Sequence, residues 1–96
     1  RPEIAPFTFG DEPSNSGDTV STSCTVIKGD YPITIEWSLN SIPIERGSSD
    51  ISIVSTSKRV SVLTIDDVSA RHAGEYTCSA SNSAGGTSYS SVLSVN

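Results

Sequence analysis

The stretch Ala73-Gly74-Glu75-Tyr76-Thr77-Cys78 contains a tyrosine two residues before a cysteine. Upstream of it lie the only other cysteine, Cys24, and the only tryptophan, Trp37. A Cys–Trp–Tyr-x-Cys order over about 100 residues is typical of a sandwich of two antiparallel β-sheets. The pattern predicts an all-β fold in which a Cys24–Cys78 disulfide joins the sheets and Trp37 packs on it. It also predicts that the Tyr76 hydroxyl bonds to the main chain a few residues upstream.

The length and the cysteines indicate one disulfide-braced module. We expect residues 1–96 to form a single domain belonging to a longer multi-domain ectodomain. A core of this size leaves a small stability margin, and a bridge between two distant cysteines adds about 4 kcal/mol. The alternative is a cytosolic domain with two buried free thiols. The disulfide instead indicates an oxidising, extracellular compartment.

Charge and hydropathy limit the classes of partner. The net charge is −5, and the six Lys and Arg residues form no cluster. Nucleic acid and anionic lipid surfaces both require a basic footprint, so neither is an expected partner. No apolar run approaches the roughly 18 residues of a membrane span, and we expect no direct membrane contact.

Apolar and polar residues alternate along most of the chain, as half-buried antiparallel strands require. In this pattern serine is expected to occupy outward positions. The inward set includes Leu63 and Ile65, beside Trp37 and Tyr76. Between Phe7 and Phe9 we expect Phe9 to be the core residue. Residues 47–49 and 81–86 are predicted turns. The predicted strands are B (19–26), C (33–39), C′ (42–44), D (50–56), E (60–66), F (75–80) and G (87–95), after an edge strand A broken within residues 1–16.

The same positions resemble the I-set immunoglobulin family over the whole chain. The short connection between Trp37 and Leu63 leaves no room for the additional hairpin of antibody variable domains. One departure is His72, where the family usually has an aspartate paired with a basic residue near strands D and E. The resemblance implies that Arg59 lacks its usual partner here, with Asp66 or Asp67 as the alternative partner. The matching positions are Gly17, Cys24, Trp37, Leu63-x-Ile65-x-x-Val68, Gly74-x-Tyr76-x-Cys78 and Ala80-x-Asn82-x-x-Gly85.

A narrower resemblance rests on Ile4-Ala5-Pro6-Phe7 and Val60-Ser61-Val62-Leu63-Thr64-Ile65. These strings are similar to the insect Down syndrome cell adhesion molecule family, in particular to an alternatively spliced seventh immunoglobulin domain. The resemblance implies the extracellular part of a neuronal plasma-membrane receptor acting in axon guidance. It also implies binding to an identical copy of the domain, and neighbouring immunoglobulin domains in the same chain.

The turn after strand E contains the residues that could form a catalytic or a metal site. A catalytic triad would need His72, the only histidine, with Asp66 or Asp67 and a serine. The two aspartates are also candidate calcium ligands, but calcium takes six or more oxygens and no further acidic spacing supplies them. We interpret these residues as a solvated corner. The expectation is a protein that is not an enzyme and holds no metal or cofactor.

The outward positions of strands B, D and E form the candidate binding site. They lack charge, and two-fold self-association brings like residues together, where charges would repel. We therefore predict homophilic binding through this A–B–E–D face. Ordinary surface valines are the plain alternative for these side chains. Two other functions stay open, a structural spacer or a heterophilic binder using the G–F–C face with Glu36 and Glu75. The predicted homophilic residues are Val60, Val62, Thr64, Ser21, Ser23, Thr25 and Val54.

Overall fold

The computed structural model describes residues 1–45 and 50–96. Within them, alternating β-branched and polar residues form antiparallel strands, and a short 3₁₀ helix at Ala70–His72 is the one helical element. The turn predicted at residues 47–49 lies outside the described residues. No helix in the described ranges is long and apolar enough to cross a bilayer. The strands are β1 (Glu3–Ile4), β2 (Val20–Lys28), β3 (Thr34–Leu39), β4 (Ile42–Pro43), β5 (Ile51–Ser57), β6 (Val60–Ile65), β7 (Gly74–Asn82) and β8 (Gly85–Leu93).

The strands form two four-stranded sheets. Their orders are β1-β2-β6-β5 and β4-β3-β7-β8, which match the predicted A–B–E–D and C′–C–F–G sheets. A parallel bridge between Ser14 and Val95 adds the second half of the broken first strand to the other sheet. The predicted all-β, immunoglobulin-like sandwich is confirmed.

The core lies between the sheets around the predicted disulfide. Cys24 on β2 and Cys78 on β7 are bonded to each other. Trp37 is buried beside them. Its indole Nε1–H donates to the Ser61 hydroxyl at 2.9 Å, so Ser61 is an inward residue of β6. The expectation that serine faces outward is therefore wrong at this position, where the exposed fraction is 1%. Leu63, Ile65 and Tyr76 are fully buried in the same cluster.

The two phenylalanines reverse their predicted roles. Phe7 is the buried core residue, with its ring centroid 5.4 Å from that of Trp37 and 5.0 Å from that of Tyr89. Phe9 is partly buried and lies against Tyr76 at 5.1 Å. The prediction of Phe9 as the core residue is wrong. Between β1 and Ser14 the main chain crosses from one sheet to the other, and the Phe7 ring lies between the sheets against Trp37 and Tyr89.

The corner between β6 and β7 contains the predicted tyrosine bond. The Tyr76 hydroxyl donates to the His72 carbonyl at 2.6 Å. Burial raises the pKa of this hydroxyl to about 12. His72 is itself buried, and its Nδ1 accepts from the Ser69 main-chain N–H at 2.9 Å. The expected solvated corner is thus wrong at His72, because the 3₁₀ helix turns the imidazole into the protein.

Among the described residues Arg59 forms no ion pair with a carboxylate, as the resemblance implies, but its guanidinium does not lack hydrogen-bond partners. Arg59 lies in the turn between β5 and β6, at the opposite end of the sandwich from the corner of His72. Its guanidinium donates to the carbonyls of Val26 and Gly29 and to the Tyr31 hydroxyl. The corner has an ion pair of its own, between Arg71 and Asp50, the residue immediately before β5. A hydrogen bond with Asp50, together with the charge of that carboxylate, raises the pKa of Arg71.

Several strand boundaries extend beyond the prediction. β2 ends at Lys28 rather than at Val26. β7 ends at Asn82, and β8 begins at Gly85. The predicted loop at residues 81–86 is therefore reduced to a tight turn. Gly85 has a φ of 140° there, a conformation that side-chain-bearing residues rarely adopt. The long hairpin holds the two strands in register to their ends.

Candidate functional site: the outward face of β5, β6 and β2

Three strands of one sheet present a continuous outward surface, here named the β5–β6–β2 face. Its centre is a row of three side chains in register, because Val54 lies opposite Val62 on β6 and Val62 lies opposite Ser23 on β2. The two valines are therefore direct cross-strand neighbours. Val54 is 53% exposed, which is high for a large apolar side chain, and Val62 is half-buried.

The rows on either side carry hydroxyl and methyl groups. Toward the corner of His72, Ser52, Thr64 and Ser21 lie in register. The Ser21 and Thr64 hydroxyls are hydrogen-bonded at 3.2 Å, so their polar groups are already partnered. Toward the other end, Val60 lies opposite Thr25. All seven residues predicted for the homophilic site are thus brought together on one surface.

Sequence reasoning missed two members of the face. Ser52 was not named, although it has the same parity as Val54. Ile27 lies two residues after Thr25 on β2, on the same side of the strand, and is 55% exposed. The predicted strand ended at Val26, so the alternation that places Ile27 outward was not continued far enough. With Ile27 the face has an apolar residue at its end as well as at its centre.

The β5–β6–β2 face is nearly free of charge. Within the three strands, Lys28 is the only charged residue, and it lies at the last position of β2. Its ammonium pairs with the Glu3 carboxylate on β1 at 3.4 Å. The one charge at this border is therefore neutralised by the neighbouring strand, and the valine row contains no ionisable group.

The outward face of the second sheet differs in charge. Glu36 on β3 and Glu75 on β7 both lie in its strands. Glu75 lies opposite Val92, which is 61% exposed. The side-chain hydroxyls of Thr77 and Ser90 on this face are hydrogen-bonded at 2.7 Å. A two-fold contact through this face would bring carboxylates toward their own copies. The contrast between the two sheets favours the β5–β6–β2 face for self-association.

The residues weighed for catalysis and metal binding are not assembled into a site. His72 is 3% exposed and its Nδ1 is occupied by the Ser69 N–H, so it has no free lone pair at that nitrogen to activate a serine. Asp66 and Asp67 belong to no group of three or more His, Cys, Asp or Glu side chains that could hold a metal, among the residues described. The hydrogen bonds of this corner therefore stabilise the connection between β6 and β7.

Comparison with known proteins agrees with the sandwich fold. A model described as "Immunoglobulin domain" matches residues 1–82. The chain belongs to the immunoglobulin domain family. This immunoglobulin domain is 45% identical over 95 residues to the cell adhesion molecule Dscam1 of Drosophila melanogaster, which covers 99% of the chain. The match spans only 5% of Dscam1, so the chain corresponds to a small part of that relative.

Solved structures give the same relationship. The crystal structure of the Dscam1 Ig7 domain, isoform 5, superposes with a TM-score of 0.96 at 48% identity, covering 99% of this immunoglobulin domain and 96% of that chain. A crystal structure of the eight N-terminal Ig domains of a Down Syndrome Cell Adhesion Molecule isoform gives 0.89 at 38% identity, covering 98% and 12% respectively. The predicted resemblance to a seventh immunoglobulin domain of the Dscam family is confirmed.

Proposed function

We propose that the chain is an extracellular module of a neuronal cell adhesion receptor and binds an identical copy of itself through the β5–β6–β2 face. The similarity to proteins named as cell adhesion molecules supports the class of receptor. The small share of those relatives that the chain spans supports the role of one module among many. The disulfide supports an extracellular setting, because such bonds persist in oxidising compartments.

The observation that carries the proposal is the uncharged row of Val54, Val62 and Ser23. A two-fold axis through this row would place each side chain near its own copy. Valine methyl groups and a hydroxyl tolerate that proximity, whereas two carboxylates or two ammonium groups would repel. The exposed Val54 beside Val62 and the exposed Ile27 at the end of the face supply apolar surface, so contact removes apolar area from water.

The interaction is expected to be weak in one domain and strong in the receptor. One small face buries less area than a stable protein–protein interface requires. Adhesion receptors present several modules at once, and linked contacts multiply into a high avidity. The eight-domain structure that resembles this chain supports neighbouring immunoglobulin domains in the same receptor. The module itself requires no contact with the membrane, with nucleic acid or with a cofactor in this proposal.

We propose binding rather than catalysis because His72, the only histidine of the chain, is buried. Its side chain is enclosed at the corner, and among the described serines only the neighbouring Ser69 contacts the imidazole, through its main-chain N–H and its hydroxyl. The exposed hydroxyls of the face either pair with each other or face solvent, with no ionisable group in the three central rows.

Sedimentation equilibrium of the 96-residue domain tests the proposal. A concentration-dependent shift of the mean mass from one to two chains supports homophilic pairing. A strictly monomeric domain at millimolar concentration would contradict it and would favour the spacer function. Relatives of the same length are known as isolated Ig7 domain structures, so the domain is a suitable object for this measurement.

A further inference from the structure

The side of the sandwich opposite β1 and β8 is partly open. β5 is the edge strand of one sheet, and β4 covers only the end of β3 in the other. The pairing of β4 reaches Ser38 and Leu39 and no further. The first part of β3, from Thr34 to Glu36, is therefore an edge without a neighbouring strand among the described residues.

The main-chain groups of Ile35 face this open edge. The Ile44 N–H donates to the Trp37 carbonyl at 2.9 Å, which shows that the main chain of Trp37 faces the β4 side. Alternate residues of an antiparallel strand direct their N–H and C=O groups to the same side. Ile35 is two residues before Trp37, so its donor and acceptor point beyond the end of β4. In the parts of the chain that the structure describes, no strand pairs with them.

A cleft follows this edge between the two sheets. Its volume is about 730 Å³, and its walls include Ile33 and Ile35 on one side and Ser55 and Ser57 on the other. Lys58 and Tyr31 lie at one end, with the Lys58 ammonium 5.4 Å from the centre of the tyrosine ring. The cleft thus combines aliphatic surface, hydroxyl groups and one positive charge.

The charge of Lys58 is available to a partner. Lys28 pairs with Glu3, Arg71 pairs with Asp50, and the guanidinium of Arg59 is bonded to carbonyl and hydroxyl oxygens. Lys58 contacts the face of Tyr31, and within the described residues no carboxylate lies within ion-pair distance of its ammonium. A cation beside the cleft attracts a carboxylate group of a partner.

We propose that this cleft binds an extended, acidic segment of a partner protein as a strand added to the free edge of β3. Main-chain groups of Ile35 pair with the segment, as in other complexes formed by strand addition. An aliphatic side chain of the segment packs on Ile33 and Ile35, and a carboxylate contacts Lys58. The cleft borders the edge of β5 beside Ser55, which pairs with the inward Ser61, whereas Val54 belongs to the outward β5–β6–β2 face. The proposed interaction therefore uses a different side of β5 from homophilic pairing.

Nuclear magnetic resonance of the isotopically labelled domain with a synthetic peptide tests the proposal. The probe is a capped seven-residue peptide of alternating valine and glutamate. We expect shifts of the amide signals of Ile33, Ile35, Ser57 and Lys58, and slower hydrogen exchange at the Ile35 amide. Lys58→Glu should weaken the binding about fivefold or more, since it replaces an attractive charge pair by a repulsive one.

Two matched peptides make the outcome decisive. A peptide of alternating valine and lysine should bind less tightly than the glutamate peptide. Methylation of the peptide nitrogens that face β3 should abolish binding, because it removes the donors of the added strand. The Val62→Asp domain should bind the glutamate peptide as the parent does. Absence of shifts with millimolar glutamate peptide, equal binding of the lysine peptide, or binding unaffected by methylation would each overturn the proposal.

Discussion

The indole N–H of Trp37 on β3 and the hydroxyl of Ser61 on β6 are joined by a 2.9 Å hydrogen bond that crosses the interior between the sheets. Both residues are almost completely buried, with exposed fractions of 3% and 1%. The bond satisfies the one polar atom of the largest core side chain. It also gives an inward serine a role that a valine or leucine in the same position could not perform.

Replacing Ser61 by alanine tests this bond. The indole N–H of Trp37 would then be buried without an acceptor, which costs about 1–3 kcal/mol. We expect Ser61→Ala to lower the free energy of unfolding by that amount. Urea denaturation followed by the fluorescence of Trp37, the only tryptophan, measures it directly. Ser79→Ala on the exposed side of β7 is the control and should stay within about 0.5 kcal/mol of the parent. Equal midpoints for the two variants would mean that the bond contributes nothing.

The comparison of Ser61 with Val62 shows how far the sequence predicts the fold. Alternation is a local property, so the inward and outward positions of β6 follow from the sequence. The residue type at an inward position does not reveal its partner, because the Trp37 acceptor comes from a distant strand. The sequence does not predict the ion pair of Arg71 with Asp50 for the same reason, since it joins the 3₁₀ helix to the residue before β5. The face at Val62 was predicted because it depends only on parity and strand order.

The tyrosine corner gives a second prediction. Tyr76→Phe removes the donor to the His72 carbonyl and leaves that carbonyl with one fewer partner. We expect the free energy of unfolding to fall by about 1–2 kcal/mol with an unchanged circular dichroism spectrum. Thermal denaturation provides the measurement. A midpoint equal to that of the parent would show that the hydroxyl is not needed at the corner.

The same hydroxyl makes stability depend on alkaline pH. The folded state raises its pKa to about 12 from an ordinary value of 10, because burial disfavours the phenolate. The unfolded chain therefore loses this proton first. The stabilising contribution is complete below pH 10 and is lost as the pH rises through 12, at a cost of at most about 3 kcal/mol. Denaturation midpoints measured across this interval should fall more steeply for the parent than for Tyr76→Phe. Parallel slopes would contradict the assignment.

His72→Asp restores the residue that is usual in the I-set family, and we expect it to destabilise this chain. The side chain at this position is buried, and the nearby Arg71 is already paired with Asp50. A carboxylate would lose hydration without gaining a dedicated cation, at a cost of about 1–3 kcal/mol. His72→Asn is the matched control, because its neutral amide can still accept from the Ser69 N–H. A gain in thermal midpoint for the aspartate variant would contradict the prediction.

The proposed function predicts that charge at the centre of the β5–β6–β2 face abolishes self-association. Val62→Asp would place two carboxylates near each other across the two-fold axis, where repulsion and desolvation cost a few kcal/mol. The side chain of Val62 points away from the core residue Leu63. The unfolding free energy of the monomer should therefore change by no more than about 1 kcal/mol. Sedimentation equilibrium and thermal denaturation separate the two effects.

Two controls assign the result to charge and to this face. Val62→Asn has nearly the same shape as the aspartate variant without its charge, so it should retain more of the self-association. Glu36→Lys changes charge on the opposite sheet and should leave pairing unchanged, because Glu36 lies on β3. If Glu36→Lys abolished pairing while Val62→Asp did not, self-association would occur through the second sheet. Loss of pairing in Val62→Asp alone, with a monomer that unfolds near the parent midpoint, is the result that homophilic binding through the valine row requires.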